Sequence, residues 1–557
     1  MATFEFPEPA GVAVRSALEE PKPEAEAGGA LRAKESPVHR TFAAWTLSLL
    51  SLGIKIGGNV VIIPLALHFL GRQDYGLWIV LQSIGTYLAL SDLGIGQTVL
   101  NFQNVAYTKG DLREVNRVLT TVFGIHWIII AAVWVIAAYI FVTQPIEKWF
   151  LKDASGSAAF LFKGYLALAG TLALLRVPLN VFPATLLGLR ELTLRQFFEV
   201  AVAISVPLGT ILTLLAGGKV LALIWVTNGV VIVLPLLAYS LARSRHGYLR
   251  LSREFWTPSL FWPLLSNSLF FFLYGLGLLF QRLVGSVLAG KFAGLDAVPA
   301  FFVLFTLFRI VGWSLADTVS QTMQPYIIML DVQERRDRVE FFAQLSTKFT
   351  FAAAVMYCML IWSFADVGLR IWVGPNMFLG YAPLALLGGS FLIDVLFLST
   401  NNCMRGLNRH RTLSIVMGIY AVLSFVLGIA GAKVMAGNPT LGLCWGLFAA
   451  SVIGQALPLP WIACKWLRIG WRKYFDQFLV RPSLLTTCLV MISAVFLAYE
   501  PGGYWRLAGF PFIVVLLFTL LTWFLVFNGA ERLWIRKALL RPGPFGRRNW
   551  AFTLLER

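Results

Sequence analysis

The chain has little charge. Of its 557 residues only 13% are Asp, Glu, Lys or Arg, while 58% are hydrophobic and the mean hydropathy is +0.74. An ordinary globular chain is about 25% charged and about 45–50% apolar. A soluble fold covers itself with polar groups, so this deficit excludes a soluble enzyme, a DNA-binding domain and a disordered scaffold together. Cysteine is also scarce. Cys358, Cys403, Cys444, Cys464 and Cys488 fall at no metal or redox spacing and sit mostly in apolar runs, so neither a metal site nor a disulfide framework is expected. Acidic residues number 28 against 46 basic, a net charge of +18. In a membrane chain that surplus belongs to cytoplasmic loops and implies no nucleic acid partner. The chain has no D-x-D motif, and its five histidines, His39, His68, His126, His246 and His410, form no sequence pair. No secretory signal peptide is visible, and residues 1–41 read as a disordered, polar cytoplasmic tail.

What is present is apolar run after apolar run. About 20 such residues cross the ~30 Å hydrocarbon layer as a helix. Fourteen runs qualify, near 42–70, 76–108, 120–142, 158–186, 196–216, 220–241, 261–288, 298–325, 345–364, 381–404, 412–434, 440–463, 482–499 and 509–528. The fold class expected is therefore all-α, a polytopic membrane protein with about 14 transmembrane helices. An even count puts both termini on one side. With the N-terminus cytoplasmic, 33 of the 46 Lys and Arg fall in cytoplasmic segments and nine outside, which places the chain in the cell (cytoplasmic or inner) membrane with both ends inside. No loop exceeds about twenty residues, so no soluble catalytic domain or cofactor is expected.

Two parts of the chain share punctuation. FLGRQDYGLW at 69–78, LLGLRELTL at 186–194 and AGGKVLAL at 216–223 are echoed by LAGKFAG at 288–294, MRGLNRHRTL at 404–413 and AGNPTLGL at 436–443. Gly71 to Gly290 is 219 residues, Gly188 to Gly406 is 218 and Gly217 to Gly437 is 220. The offset spans six helices, an even number, so both copies cross in the same sense, with a pseudo-two-fold axis along the membrane normal. The expected organisation is an N-lobe at 42–241, a cytoplasmic linker at 242–260 and a C-lobe at 261–463. These two parallel six-helix lobes surround a central cavity. Two C-terminal helices at 482–528 and a basic cytoplasmic tail at 529–557 complete it. Such an architecture suits an alternating-access transporter.

The charged residues set deepest in the runs include Lys55, Arg176, Arg282, Arg309, Asp92, Asp317 and Asp394. A charge at the bilayer centre costs about 2.5–3.5 kcal/mol on insertion scales, so each must meet a partner, water or a ligand. Ser51, Lys55 and Asn59 recur every four residues as one stripe. Asn267, Tyr274 and Gln281 share a face of the seventh run, with Arg282 beside it, and Trp313 lies between Arg309 and Asp317 on the eighth. Arg309, Arg282, Lys55 and Arg176 are the candidate anion-binding cations, because a guanidinium fork suits phosphate. Each also has a structural alternative. Arg309 or Arg282 pairs with Asp317 or Asp92, and Arg176 snorkels. Asp92, Asp317 and Asp394 are candidate ion-coupling or counter-charge residues. Asn59, Asn267, Tyr274, Gln281 and Trp313 are candidate cavity lining.

The stretch at 65–106, with Gly71, Tyr75 and Gly76 in a G-x-x-x-Y-G element and Asp92, Leu93, Gly94 and Gly96 in a D-L-G-x-G element, resembles the N-terminal signature of O-antigen-type polysaccharide flippases. These belong to the multidrug/oligosaccharidyl-lipid/polysaccharide exporter superfamily. GLRELTLRQ at 188–196 looks like that family's fourth-to-fifth helix connection. The resemblance covers roughly 42–465. It implies a two-lobe fold and transfer of a polyprenyl-pyrophosphate-linked oligosaccharide from the cytoplasmic to the outer leaflet for cell-surface polysaccharide biosynthesis. Its partners would be that lipid-linked oligosaccharide, membrane lipids, a coupling H⁺ or Na⁺, and polymerase or glycosyltransferase neighbours. The competing readings are a drug/cation antiporter of the same superfamily and a membrane-embedded polysaccharide-processing enzyme.

Overall fold

The computed structural model describes residues 37–539, except 153–155, 190, 319, 321–329, 331–334, 375, 407–409, 468–469, 482, 489–490 and 492–509. Within these residues the secondary structure is helical throughout. The first helix, α1 (Pro37–Leu88), bends at Gly71, whose φ of 74° only glycine adopts without strain. The chain on each side of that bend, 37–70 and 72–108, is long enough to cross a bilayer. A 3₁₀ turn at Ala89–Asp92 interrupts the second crossing, which resumes as α2 (Ile95–Thr108). The N-lobe continues with α3 (Leu112–Thr143), α4 (Gly156–Leu179), α5 (Leu192–Leu215) and α6 (Val220–Arg245). Asp111 caps α3, its carboxylate accepting the Glu114 N–H at 2.9 Å.

The C-lobe repeats the plan in α7 (Phe261–Phe292), α8 (Val298–Thr306), α9 (Arg336–Val373), α10 (Tyr381–Gly406), α11 (His410–Val434) and α12 (Pro439–Ser451). Two of these helices run on through π-helical turns, α8 through Leu307–Gly312 and α12 through Val452–Ala456. Asn438 and Pro439 start α12 as N-cap and first residue. The first glycine anchor of the repeat needs correcting. Gly290 lies inside α7, and the turn into α8 is made by Gly294 at φ 93°.

Eleven described helices are long and apolar enough to cross a membrane, the first carrying the bend at Gly71. The last pair of expected spans is seen only in part. Residues 492–499 lie outside the described residues, and Val515–Val526, within α13 (Phe510–Leu521) and its π-helical extension, is a shorter apolar helix. After it, α14 (Gly529–Leu539) opens with a reciprocal cap: Glu531 accepts the Asn528 N–H at 2.7 Å, and Asn528 accepts the Glu531 N–H at 2.9 Å.

The lobes meet most closely at the end carrying the 71–76 and 291–298 turns. A Cβ on Gly76 would collide with the Leu295 carbonyl, so only glycine lets these backbones touch. Gln73 donates to Asp296 at 3.3 Å, the Trp372 indole donates to the Val60 carbonyl at 2.7 Å, and Lys291 donates to the Lys148 carbonyl.

Candidate functional site

Beneath that seal lies a cavity of about 420 Å³. The N-lobe supplies most of its wall, including Lys55 and Asn59 of α1, Gln82 and Thr86 beyond the bend, Arg176 of α4 and Pro207 of α5. The C-lobe adds only Leu283, Phe302 and Ile310. Two of the lining residues are cations and none is a carboxylate. Its volume falls in the ~300–1,000 Å³ range of ligand pockets.

The polar stripe on the first run faces this space. Lys55 is 3.5 Å from Glu199 of α5, but its side chain stays 49% exposed, and Glu199 is engaged more closely by Arg195 at 2.9 Å. An ion pair so open to water holds its lysine weakly. Asn59 donates to the Lys55 carbonyl at 3.0 Å. Arg176 behaves differently from the snorkelling residue suggested by its place in the sequence. It turns inward, approaches the Asn228 amide oxygen of α6 at 3.5 Å, and leaves its buried Nε without a partner. Among the described residues no carboxylate pairs with it. Gln82, which donates to Thr227 at 3.0 Å, completes this polar wall. The adjacent polar pair Thr227–Asn228, in the middle of an otherwise apolar run, was the signal in sequence for it.

Arg309 corrects an expectation. It was expected to face the cavity, yet it is 1% exposed and not among the lining residues. Its guanidinium forms an ion pair with Asp394 of α10 and donates to Ser390. Ser390 in turn meets Ser451 at 2.6 Å, Ser451 meets the Tyr420 hydroxyl at 3.2 Å, and Gln455 donates to Asp394. The partner is thus Asp394, not Asp317. Both π-helical turns serve this cluster, one carrying Arg309 and the other Gln455. A π-turn re-aims side chains that a regular helix would point elsewhere.

Arg282 also lies off the cavity wall, its guanidinium 4.0 Å from the ring centre of the buried Trp313, a cation–π contact. Asp317 accepts from Asn402 at 3.1 Å and lies within electrostatic reach of Arg282. Tyr274 packs with Met417, Tyr420 and Phe397 inside the C-lobe, and Gln281 is buried at 4%. The Asn267 side chain lies outside the described residues. Asp92 meets a residue that spacing could not supply, since His126 Nε2 of α3 stands 2.9 Å from its carboxylate. The candidate residues therefore form four groups: Lys55, Asn59 and Arg176 at the cavity, Arg309 with Asp394, Arg282 with Trp313 and Asp317, and Asp92 with His126.

No family model and no curated protein matches the sequence. Solved structures match the fold. The chain is similar to a lipid II flippase MurJ in an inward closed conformation, with TM-score 0.61 and 13% identity over 90% of this chain and 100% of that one. It is also similar to a multidrug resistance MATE family transporter of the MOP superfamily in an inward-facing conformation, with TM-score 0.54 and 15% identity over 79% and 99% of the two chains. A MOP superfamily transporter from Pyrococcus furiosus, described as having a reversed binding-pocket polarity that suggests a different function, gives TM-score 0.53 and 15% identity over 79% and 97%. The chain shares the multi-pass membrane fold of these flippase and MOP superfamily transporter structures.

Proposed function

We propose that this protein is a flippase that moves a polyprenyl-pyrophosphate-linked oligosaccharide from the cytoplasmic to the outer leaflet of the cell membrane, with both termini cytoplasmic. The observation that carries the reading is the cavity's charge: Lys55 and Arg176 line it, and no carboxylate does. A cavity built for organic cations would need the opposite sign. The pyrophosphate is too polar to cross hydrocarbon alone, whereas the polyprenyl tail is at home there. The head group passes between the lobes against Arg176 and Lys55 while the tail stays in lipid. An anion leaving an inside-negative cell moves with the field, gaining about 2.3 kcal/mol per charge at 100 mV. The likeness to a lipid II flippase supports this reading at the level of fold, and the multidrug transporter likeness supports its rival equally.

The test uses the full chain in liposomes. A fluorescent polyprenyl-pyrophosphate oligosaccharide should be flipped, and Arg176→Ala should lower the rate at least tenfold. Arg176→Lys should retain part of it, because charge survives and the planar fork does not. Transport of an organic cation with no movement of the lipid-linked anion would instead establish the antiporter.

A further inference from the structure

The break in the second crossing carries a pair of titratable groups that the cavity does not use. Resting on the transport reading above, we propose that Asp92 and His126 form this transporter's proton-binding site.

Three observations converge on the pair. First, Asp92 Oδ1 and His126 Nε2 are 2.9 Å apart, with the imidazole wholly buried and the carboxylate keeping 23% of its surface exposed. The buried member holds the proton and the exposed member admits it. Second, the pair stands where the helix is interrupted. Asp92 ends a 3₁₀ turn, Leu93 and Gly94 follow at φ 50° and 73°, and α2 begins at Ile95. A left-handed conformation at a leucine is strained and persists where surrounding structure imposes it. Asp92 also accepts the Gly96 N–H at 3.4 Å across this break. Interrupted helices inside membranes mark ion and substrate sites. Third, the break touches the opposite lobe. A Cβ on Gly94 would collide with Ser268, Phe271 and Phe272 of α7, and Thr98 and Ser268 share a hydrogen bond of 2.8 Å. A change in the pair's charge therefore acts where the lobes meet.

The other titratable groups nearby are occupied elsewhere. On α3 itself, Glu114 and Arg117 pair with each other. On the packed elements Arg176 turns to Asn228, Arg282 to Trp313, Tyr87 to Phe280 and Tyr274 into the C-lobe core, while Arg253 and Glu254 are exposed. The chemistry favours a proton over a metal ion. Hard cations collect six or more oxygen ligands, and this site offers one carboxylate and one imidazole. Imidazole is the side chain that gains and loses its proton near neutrality. Proton uptake makes His126 an imidazolium and turns the contact into a full ion pair, fastening α3 to the break. Proton loss returns a neutral ring beside a carboxylate, and the Gly94–α7 contact loosens.

The test reads the lobes directly. Spin labels at Lys109 and Thr412, both exposed, report the end at which Arg411 lies over Phe270 and Thr98 meets Ser268. The label is placed in the full chain in nanodiscs, with the two partly exposed cysteines, Cys464 and Cys488, replaced by alanine. The expected result is a distance distribution that differs between pH 8 and pH 5 and does not respond to Na⁺ at fixed pH. Asp92→Asn and His126→Gln each abolish the shift, and Asp92→Glu retains it. A parent distribution that stays constant over that range, or a titration that survives in both neutral variants, overturns the proposal. Should Asp92→Asn not fold, His126→Gln against Asp92→Glu gives the same decision. A chain that titrates this way but moves no lipid-linked oligosaccharide keeps the proton site and loses the substrate assignment.

Discussion

Replacing Arg309 by alanine should cost stability rather than only transport. The guanidinium is 1% exposed and Asp394 is 2% exposed, so removing the cation strands a carboxylate in the C-lobe interior with Gln455 as its remaining donor. Breaking a buried pair from one side costs about 3–5 kcal/mol. The double variant Arg309→Met/Asp394→Asn removes both charges and should recover most of the loss, because a buried ion pair stabilises little over neutral residues that fill the same space. Thermal unfolding of the purified full chain in detergent, compared across the parent, the single variant and the double variant, checks both parts. An Arg309→Ala protein as stable as the parent refutes the reasoning. So does a double variant no better than the single one, since the cost would then come from lost packing or from the Ser390 contact.

Hydropathy located the helices because the bilayer imposes a single rule on every crossing. The runs at 196–216, 220–241 and 412–434 match α5, α6 and α11 to within four residues at each end. What hydropathy cannot see is a helix that stops without becoming polar. The turn at Ala89–Asp92 and the π-turns at Leu307–Gly312 and Val452–Ala456 lie inside apolar stretches, and each is fixed by what it packs against. Four-residue spacing put Lys55 and Asn59 on one stripe, which was legible because it lies within one helix. Arg309 and Asp394 stand 85 residues apart on different helices, so their pairing depends on which faces of α8 and α10 meet. The same holds for Asp92 and His126. The histidine is embedded in FGIHWIII with nothing polar beside it, and only the packing of α3 against the break explains it. Arg176 sits near PLNVFP, where chain position suggested an interfacial cation, and the bend of the chain at Asn180 accompanies its turn toward Asn228.

Three further outcomes follow from the ends of the molecule. Gly76→Ala sets a methyl group against the Leu295 carbonyl, a backbone atom that cannot yield. It should open the seal between the lobes and raise labelling of a cysteine at Thr86 from the proposed outer side several-fold, and unchanged labelling would count against the seal. Lys348 and Glu531 form a second fully buried pair at 2.9 Å that ties α9 to α14. Lys348→Met should cost about 3–5 kcal/mol and speed proteolysis of the C-terminal segment, with Lys348→Met/Glu531→Leu restoring resistance. The last concerns acid. Glu147, in the loop before α4, has its carboxyl held below its ordinary value first by a hydrogen bond from its own backbone amide and then by Lys163 at 3.1 Å and Lys148, against an opposing desolvation. A carboxyl lowered by folding adds stability that is fully present above the unfolded value, about 4.3, and is lost as pH falls through the folded one. The neighbouring Lys148 carbonyl accepts Lys291 of the other lobe, so the acid transition should loosen the same seal. Spin labels at the exposed Gln144 and Gly437 should therefore hold a constant distance from pH 8 to 5 and separate only below about 4.3, and Glu147→Gln should remove that separation. A separation at this end that begins above pH 5 would contradict the assignment to Glu147.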